Sequence, residues 1–239
     1  MDDAERKPFV LFSMLVEDLG SVFLRQFAQR TAVTYKESEG RSKHESVHPA
    51  FQSYYYGWTR FTLHQTMLLR LADDCKLSSS IERCPQNGFP TAVVRIGRFF
   101  FTTHYGSTPQ EILHVNSSVM RKQNAGINES LVQPSLFERR FDESKLRQAN
   151  NIYANLIHGC RGAAHDFNVC GFLRIAFPCA IPRTQKDISD RSIWFVENYD
   201  LNDILARVIE RERIESSRLA TTAVAPRLKQ EPKLKEEAK

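Results

Sequence analysis

Residues 89–106, FPTAVVRIGRFFFTTHYG, place the strongest constraint on how this chain folds. β-Branched and aromatic side chains dominate the stretch; they suit a pleated, half-buried surface and lose freedom in a helix. Gly97 interrupts the run, which therefore reads as one long strand with a bulge or as two short strands. A sheet so begun must be covered, and the sequence before it carries a helical period. Phe12, Val16, Leu19, Phe23 and Phe27 recur at steps of four, three, four and four. That spacing predicts an amphipathic helix over 7–30. The polar stretch KESEGRSKHES (36–46) predicts a solvated loop. A second helix is expected from near Pro49 to about Ala72, burying a stripe of Tyr54, Trp58, Phe61, Leu68 and Ala72.

Beyond the central run, NIYANLIH (151–158) and FLRIAFP (172–178) read as two further strands, and SIWFV (192–196) as another. In 172–178, Leu173, Ile175 and Phe177 alternate with Arg174, the pattern of one buried face. FERRFDESKLRQANN (137–151) mixes both charge signs and reads as a solvated helix. Asp200 is placed to cap a last helix carrying Leu201, Ile204, Leu205, Val208 and Ile209. Helices first, strands in the middle and a helix last predict an α+β fold rather than a βαβ repeat. Its parts are two N-terminal amphipathic helices, a mainly antiparallel central sheet, a C-terminal helix and a disordered basic tail. By residue, 1–76 is a helical segment that joins the β-rich region 77–216 in one domain, and 217–239 is the tail.

Charge bears on function through its distribution. The net charge is +5, but residues 217–239 hold six Lys/Arg against three Glu, leaving the other 216 residues only 27 basic against 25 acidic groups. Net charge alone therefore does not make the folded body a nucleic-acid binder. The five cysteines are odd in number and no signal peptide is expected, which points to free thiols in the cytoplasm. No stretch approaches 18 uninterrupted apolar residues, so no transmembrane helix or membrane partner is expected.

Two motifs raise metal chemistry. His44-Glu45-Ser46-Val47-His48 matches H-E-x-x-H, which needs a helix to present both imidazoles on one face. Pro49 biases His48 away from the helical region and suits the first position of the next helix instead. The two histidines are expected in a polar loop without metal. In HGCRGAAHDFNVC (158–170), Cys160, His165 and Cys170 have the C-x4-H-x4-C spacing that ends a zinc knuckle, but Ile157 stands where a further Cys belongs. No cofactor is therefore expected, and zinc at this loop is the weaker alternative. Between Gly159 and Gly171 the loop also gathers Arg161, His165, Asp166 and Asn168, and a Cys160–His165 nucleophile pair is a further alternative. Signatures for nucleotide triphosphates, dinucleotides and serine hydrolases are absent from the sequence.

The leading expectation is a non-enzymatic cytoplasmic protein that contacts nucleic acid or a nucleic-acid-associated protein. Arg95, Arg98, Arg121, Lys122 and Arg161 are its expected phosphate contacts, with aromatics of 99–105 as a stacking surface if they are not core. One alternative is a hydrolase or nuclease using the 158–170 loop. The other is a protein-interaction module built on the aromatic-rich FQSYYYGWTRF (51–61), since Tyr and Trp are favoured interface anchors.

Overall fold

The computed structural model of the chain describes residues 3–44, 48–83, 88–106, 124–128, 143–160, 169–179 and 194–223. The apolar stripe that begins at Phe12 does build helix, but as two elements, α1 (Asp3–Asp18) and α2 (Ser21–His44), parted at Leu19–Gly20. The break is stabilised from far along the chain. The guanidinium of Arg211 donates to the carbonyls of Val16, Glu17 and Leu19, the orphan acceptors at the end of α1. The neighbouring Glu212 carboxylate accepts from the Ser21 backbone N–H (2.9 Å) and its hydroxyl (2.6 Å), capping α2. These hydrogen bonds hold the Glu212 carboxyl below the usual carboxylate range.

The expected loop at 36–46 is helix as far as His44. Around the buried Tyr35 its inner face is made of small hydroxyls: Thr31, Thr34, Ser38 and Ser42 continue the stripe of Phe23 and Phe27. Thr34, Ser38 and Ser42 each donate to a carbonyl three or four residues back, so no hydroxyl of these three is buried without a partner. On the outer face Glu37–Arg41 and Glu39–Lys43 pair across one turn.

Helix α3 (Pro49–Asp74) starts where Pro49 predicts, with His48 as its N-cap: the His48 Nδ1 accepts from the Ala50 N–H at 3.3 Å. Its buried stripe differs from the expected one. Leu68, Leu71 and Ala72 are core, whereas Tyr54 and Trp58 are 76% and 46% exposed.

Six strands form one sheet in chain order: β1 (Ser78–Arg83), β2 (Pro90–Ile96), β3 (Phe99–Tyr105), β4 (Ile152–Gly159), β5 (Phe172–Cys179) and β6 (Trp194–Asp200). Four pairings are antiparallel and β3–β4 is parallel, so the chain must cross over between them. The short α4 (Glu143–Gln148) belongs to that crossover. The 89–106 run is two strands joined at Gly97, whose φ of +55° an L side chain resists and whose missing Cβ leaves space for the Asp18 carboxylate. The final α5 (Leu201–Ala223) is started by Asp200, whose carboxylate accepts from the Asn202 N–H, and buries Leu201, Ile204 and Val208. It passes through the expected tail boundary, so 217–223 is helical; 224–239 lies outside the described residues.

Alternation sorts the sheet into two faces. One face, with Phe99, Phe101, Leu156, Ile175 and Phe177, packs under α1, α2, α3 and α5 in the main core. The other carries Val93, Phe100 and Tyr153 as a smaller cluster. Beyond Asn155–Ala176, where the β4–β5 ladder ends, Asn128 fills the gap between the two strands. Its amide accepts from Tyr153 N–H and donates to the carbonyls of Tyr153 and Pro178.

Candidate functional site

Of the five expected phosphate contacts, two are described. The Arg98 side chain is 19% exposed and is bound by acids of α1. Its Nε and Nη2 meet the two oxygens of Asp18 at 2.9 and 2.7 Å, and Nη2 also meets Glu17 at 2.7 Å. The Arg98 backbone N–H adds a hydrogen bond to the same Asp18 at 2.8 Å. Arg98 thus fastens the β2–β3 turn to the end of α1. Arg95 is exposed, donates to Asn151 at 3.1 Å and lies over the Phe100 ring at 5.3 Å. Phe99, Phe100 and Phe101 are all buried, so these three rings offer no stacking surface. Arg121, Lys122 and Arg161 lie outside the described residues, as do His165, Asp166 and Asn168 of the 158–170 loop. Among the described residues no three His, Cys, Asp or Glu side chains gather as a metal site.

What the sequence did not single out is the Arg60 and His64 face of α3. Tyr56, Arg60 and His64 stand four residues apart and so share one helix face. That face meets α2 at Tyr35 and the sheet where Tyr105 of β3 pairs with His158 of β4. The Arg60 guanidinium is 6% exposed and sits over three phenol rings, at 3.9 Å from Tyr105, 4.9 Å from Tyr56 and 5.2 Å from Tyr35. It also donates to Cys160 Sγ at 3.7 Å. Each ring contributes a cation–π attraction, yet no carboxylate among the described residues pairs with this cation.

Below the guanidinium, His64 stacks on His158 with centroids 3.8 Å apart, and Tyr35 Oη is hydrogen-bonded to His158 Nδ1 at 2.9 Å. His64 Nδ1 donates to the Arg60 carbonyl at 2.9 Å, which leaves Nε2 buried and unpartnered among the described residues. Burial, and then the Arg60 charge, depress the His64 pKa to about 4, while the bond to the carbonyl opposes them. Burial likewise raises the phenols of Tyr35, Tyr56 and Tyr105, and pushes the Cys170 thiol up to about 11. Gly159 makes the close approach possible: a Cβ there would collide with the Gly106 carbonyl and the Phe172 ring. Cys160 and Cys170 flank this point and both are free thiols.

The opposite face of α3 is open. Phe51, Tyr54 and Trp58 follow at steps of three and four and are all exposed. Trp58 and Phe61 pack on Phe89, with centroid distances to it of 4.7 and 5.5 Å. Together with Leu69, Ile81 and Ala92 they line an apolar pocket of about 410 Å³ between α3 and the β1–β2 edge. Its polar groups are spent elsewhere. Gln65 donates to Thr103 and accepts from the Ala92 N–H, while Thr62 and Thr66 donate to carbonyls of their own helix. Compared with protein-family models, curated proteins and solved structures, the chain matches none.

Proposed function

We propose that the protein is a non-enzymatic interaction module that receives an extended, apolar segment of a partner protein. The reading is carried by one juxtaposition: the 410 Å³ aromatic-lined pocket opens beside β1, a strand with a sheet neighbour on one side only among the described residues. An added strand takes its affinity from main-chain hydrogen bonds to such an edge and its specificity from a pocket for an alternate side chain. Ile81, 58% exposed, belongs both to β1 and to the pocket wall, so a residue of the incoming strand lies within reach of Trp58 and Phe89. Lys76 and Arg83 frame β1, which favours acidic residues flanking the apolar anchor. No helix among the described residues is long and apolar enough to cross a membrane, and the thiols of Cys75, Cys160 and Cys170 are free. The free thiols support action in the cytoplasm.

Selection of binders from a random dodecapeptide display library tests the proposal. Enriched sequences should pair an apolar anchor with acids and should slow hydrogen exchange of the β1 amides. Trp58→Ala should weaken their binding at least about tenfold, as for an interface anchor worth 2 kcal/mol or so. Binders that neither protect β1 nor respond to Trp58→Ala would refute the assignment.

A further inference from the structure

We infer, on the reading of β1 as the receiving edge, that the partner strand docks antiparallel in a single register. Its apolar anchor lies opposite Ile81, and an acid two positions before the anchor lies opposite Arg83. Which main-chain groups of β1 face outward follows from the neighbouring strands. The β2–β3 hairpin turns on Gly97 and Arg98 alone, and a two-residue turn closes on a hydrogen-bonded pair, here Ile96 and Phe99. Peptide groups alternate in direction along a strand, so Ile96, Val94 and Ala92 address β3 while Arg95, Val93 and Thr91 address β1. Two observations agree. The Ala92 N–H is taken by Gln65 at 2.7 Å, and the same amide donates to Thr103 of β3 at 2.9 Å. Pro90, in phase with Ala92, has no N–H to offer β1. Ser78, Ser80 and Glu82 therefore spend their groups on β2, whereas Ser79, Ile81 and Arg83 turn theirs to the open edge.

The same three residues stand opposite Val94, Ala92 and Pro90, on the helix-covered face that holds the pocket. Backbone and pocket thus coincide at Ile81, and a residue paired with it turns its own side chain toward Trp58 and Phe89. Antiparallel pairing is the more stable and places residues directly opposite. Two positions before the anchor, the partner meets Arg83, an exposed guanidinium whose one hydrogen bond shown is long, 3.4 Å to the Gly88 carbonyl. Two positions after it, the partner meets Ser79, which suits a hydroxyl residue. Glu82 stands on the other face, opposite the position just before the anchor, and disfavours an acid there. The partner class is an acid, a neutral residue, an apolar anchor, any residue, then Ser or Thr.

The probe is the peptide acetyl-Thr-Glu-Thr-Leu-Thr-Ser-Thr-amide, titrated into the full chain by NMR, together with variants N-methylated at one residue each. Methylation at the glutamate, leucine or serine removes an N–H that addresses β1 and should weaken binding at least about tenfold. Methylation at the threonines beside the leucine should change it less than about threefold. Ser79→Pro removes an outward N–H while sparing the β1–β2 ladder, so it should weaken the peptide and keep the fold. If that variant does not fold, the methylation series on wild type decides alone. Sensitivity at the intervening threonines instead marks a parallel strand and overturns the register. A series without any pattern overturns strand addition, and Trp58→Ala then shows whether the pocket still binds the peptide. A probe that fails to bind at about 1 mM, while library-selected peptides depend on Trp58, overturns the residue order and leaves the pocket reading standing.

Discussion

Arg98→Ala separates a structural arginine from a ligand-binding one, and the structure sets the size of the effect. The substitution removes two charge-assisted hydrogen bonds to Asp18 and one to Glu17, while the backbone N–H of position 98 keeps its bond to Asp18. The Glu17 bond is to a half-exposed carboxylate and counts for about 0.5 kcal/mol. The Asp18 side chain is only 14% exposed, and losing the fork leaves that carboxylate with little water to replace it. Charged hydrogen bonds contribute about 1.5–3 kcal/mol each, with a fork counting for less than two separate bonds. The expected loss is thus about 3 kcal/mol, or about 6–12 °C in Tm for a chain of this size. Arg95→Ala removes one exposed hydrogen bond and one cation–π contact and should cost about 1 kcal/mol or less. Calorimetry with urea unfolding measures both, and the Asp18→Ala/Arg98→Ala double mutant should show coupling of about 1.5 kcal/mol or more. A loss under about 1 kcal/mol for Arg98→Ala, or additive single mutants, would refute the assignment of Arg98 to the fold.

His64 makes stability depend on pH. Its folded pKa of about 4 lies below the ordinary 6.5, so the unfolded chain binds more protons between these values. Stability is full above pH 6.5 and declines as pH falls toward 4. Between pH 6.5 and 5 the loss should be about 2 kcal/mol, a range in which the lowered carboxyls of Glu17 and Glu212 stay ionised. Urea midpoints for wild type and His64→Gln over that range check it; parallel curves would contradict the neutral, buried imidazole. Gly159→Ala should destabilise by about 3 kcal/mol or more, because the colliding Gly106 carbonyl is backbone and cannot swing aside. A urea midpoint close to wild type would show that β3 and β4 are not packed so closely there.

Strands β2 to β6 and the last helix were legible because their signals are local: β-branched and aromatic runs, the glycine at 97, the cap at Asp200. Other elements were hidden for physical reasons. The second half of α2 buries Thr31, Thr34, Ser38 and Ser42, and a hydrophobic period cannot register a stripe of hydroxyls. The break at Leu19–Gly20 is fixed by Arg211 and Glu212, some 190 positions away. β1, with the sequence SSSIER, has one neighbour among the described residues and little buried surface, so it lacks the apolar alternation of an inner strand. The aromatic stripe of α3 was visible as a period, but a period says only that a face is apolar. Nothing in it distinguishes a face covered by this chain from one left for a partner.

The buried centre illustrates the complementary limit. Tyr56, Arg60 and His64 share a spacing of four that the sequence displays, yet an arginine on a helix is ordinarily solvated, and burial alone makes this one informative. Rotation by about 100° per residue sets Arg60 roughly opposite Trp58, so one helix serves two environments of opposite character. Gln65 ties these together: it lines the apolar pocket, yet its amide is spent on Thr103 of β3 and Ala92 of β2. That double anchor fixes the rotation of α3 about its axis against the sheet. A helix free to roll would bring the exposed aromatics toward the core and the guanidinium toward water, which the hydrophobic effect and cation solvation would both favour. The chain holds α3 in the opposite setting, with the cation inside and the aromatics outside. The Gln65 anchor and the burial of Leu68, Leu71 and Ala72 in the main core hold α3 in this setting against that tendency.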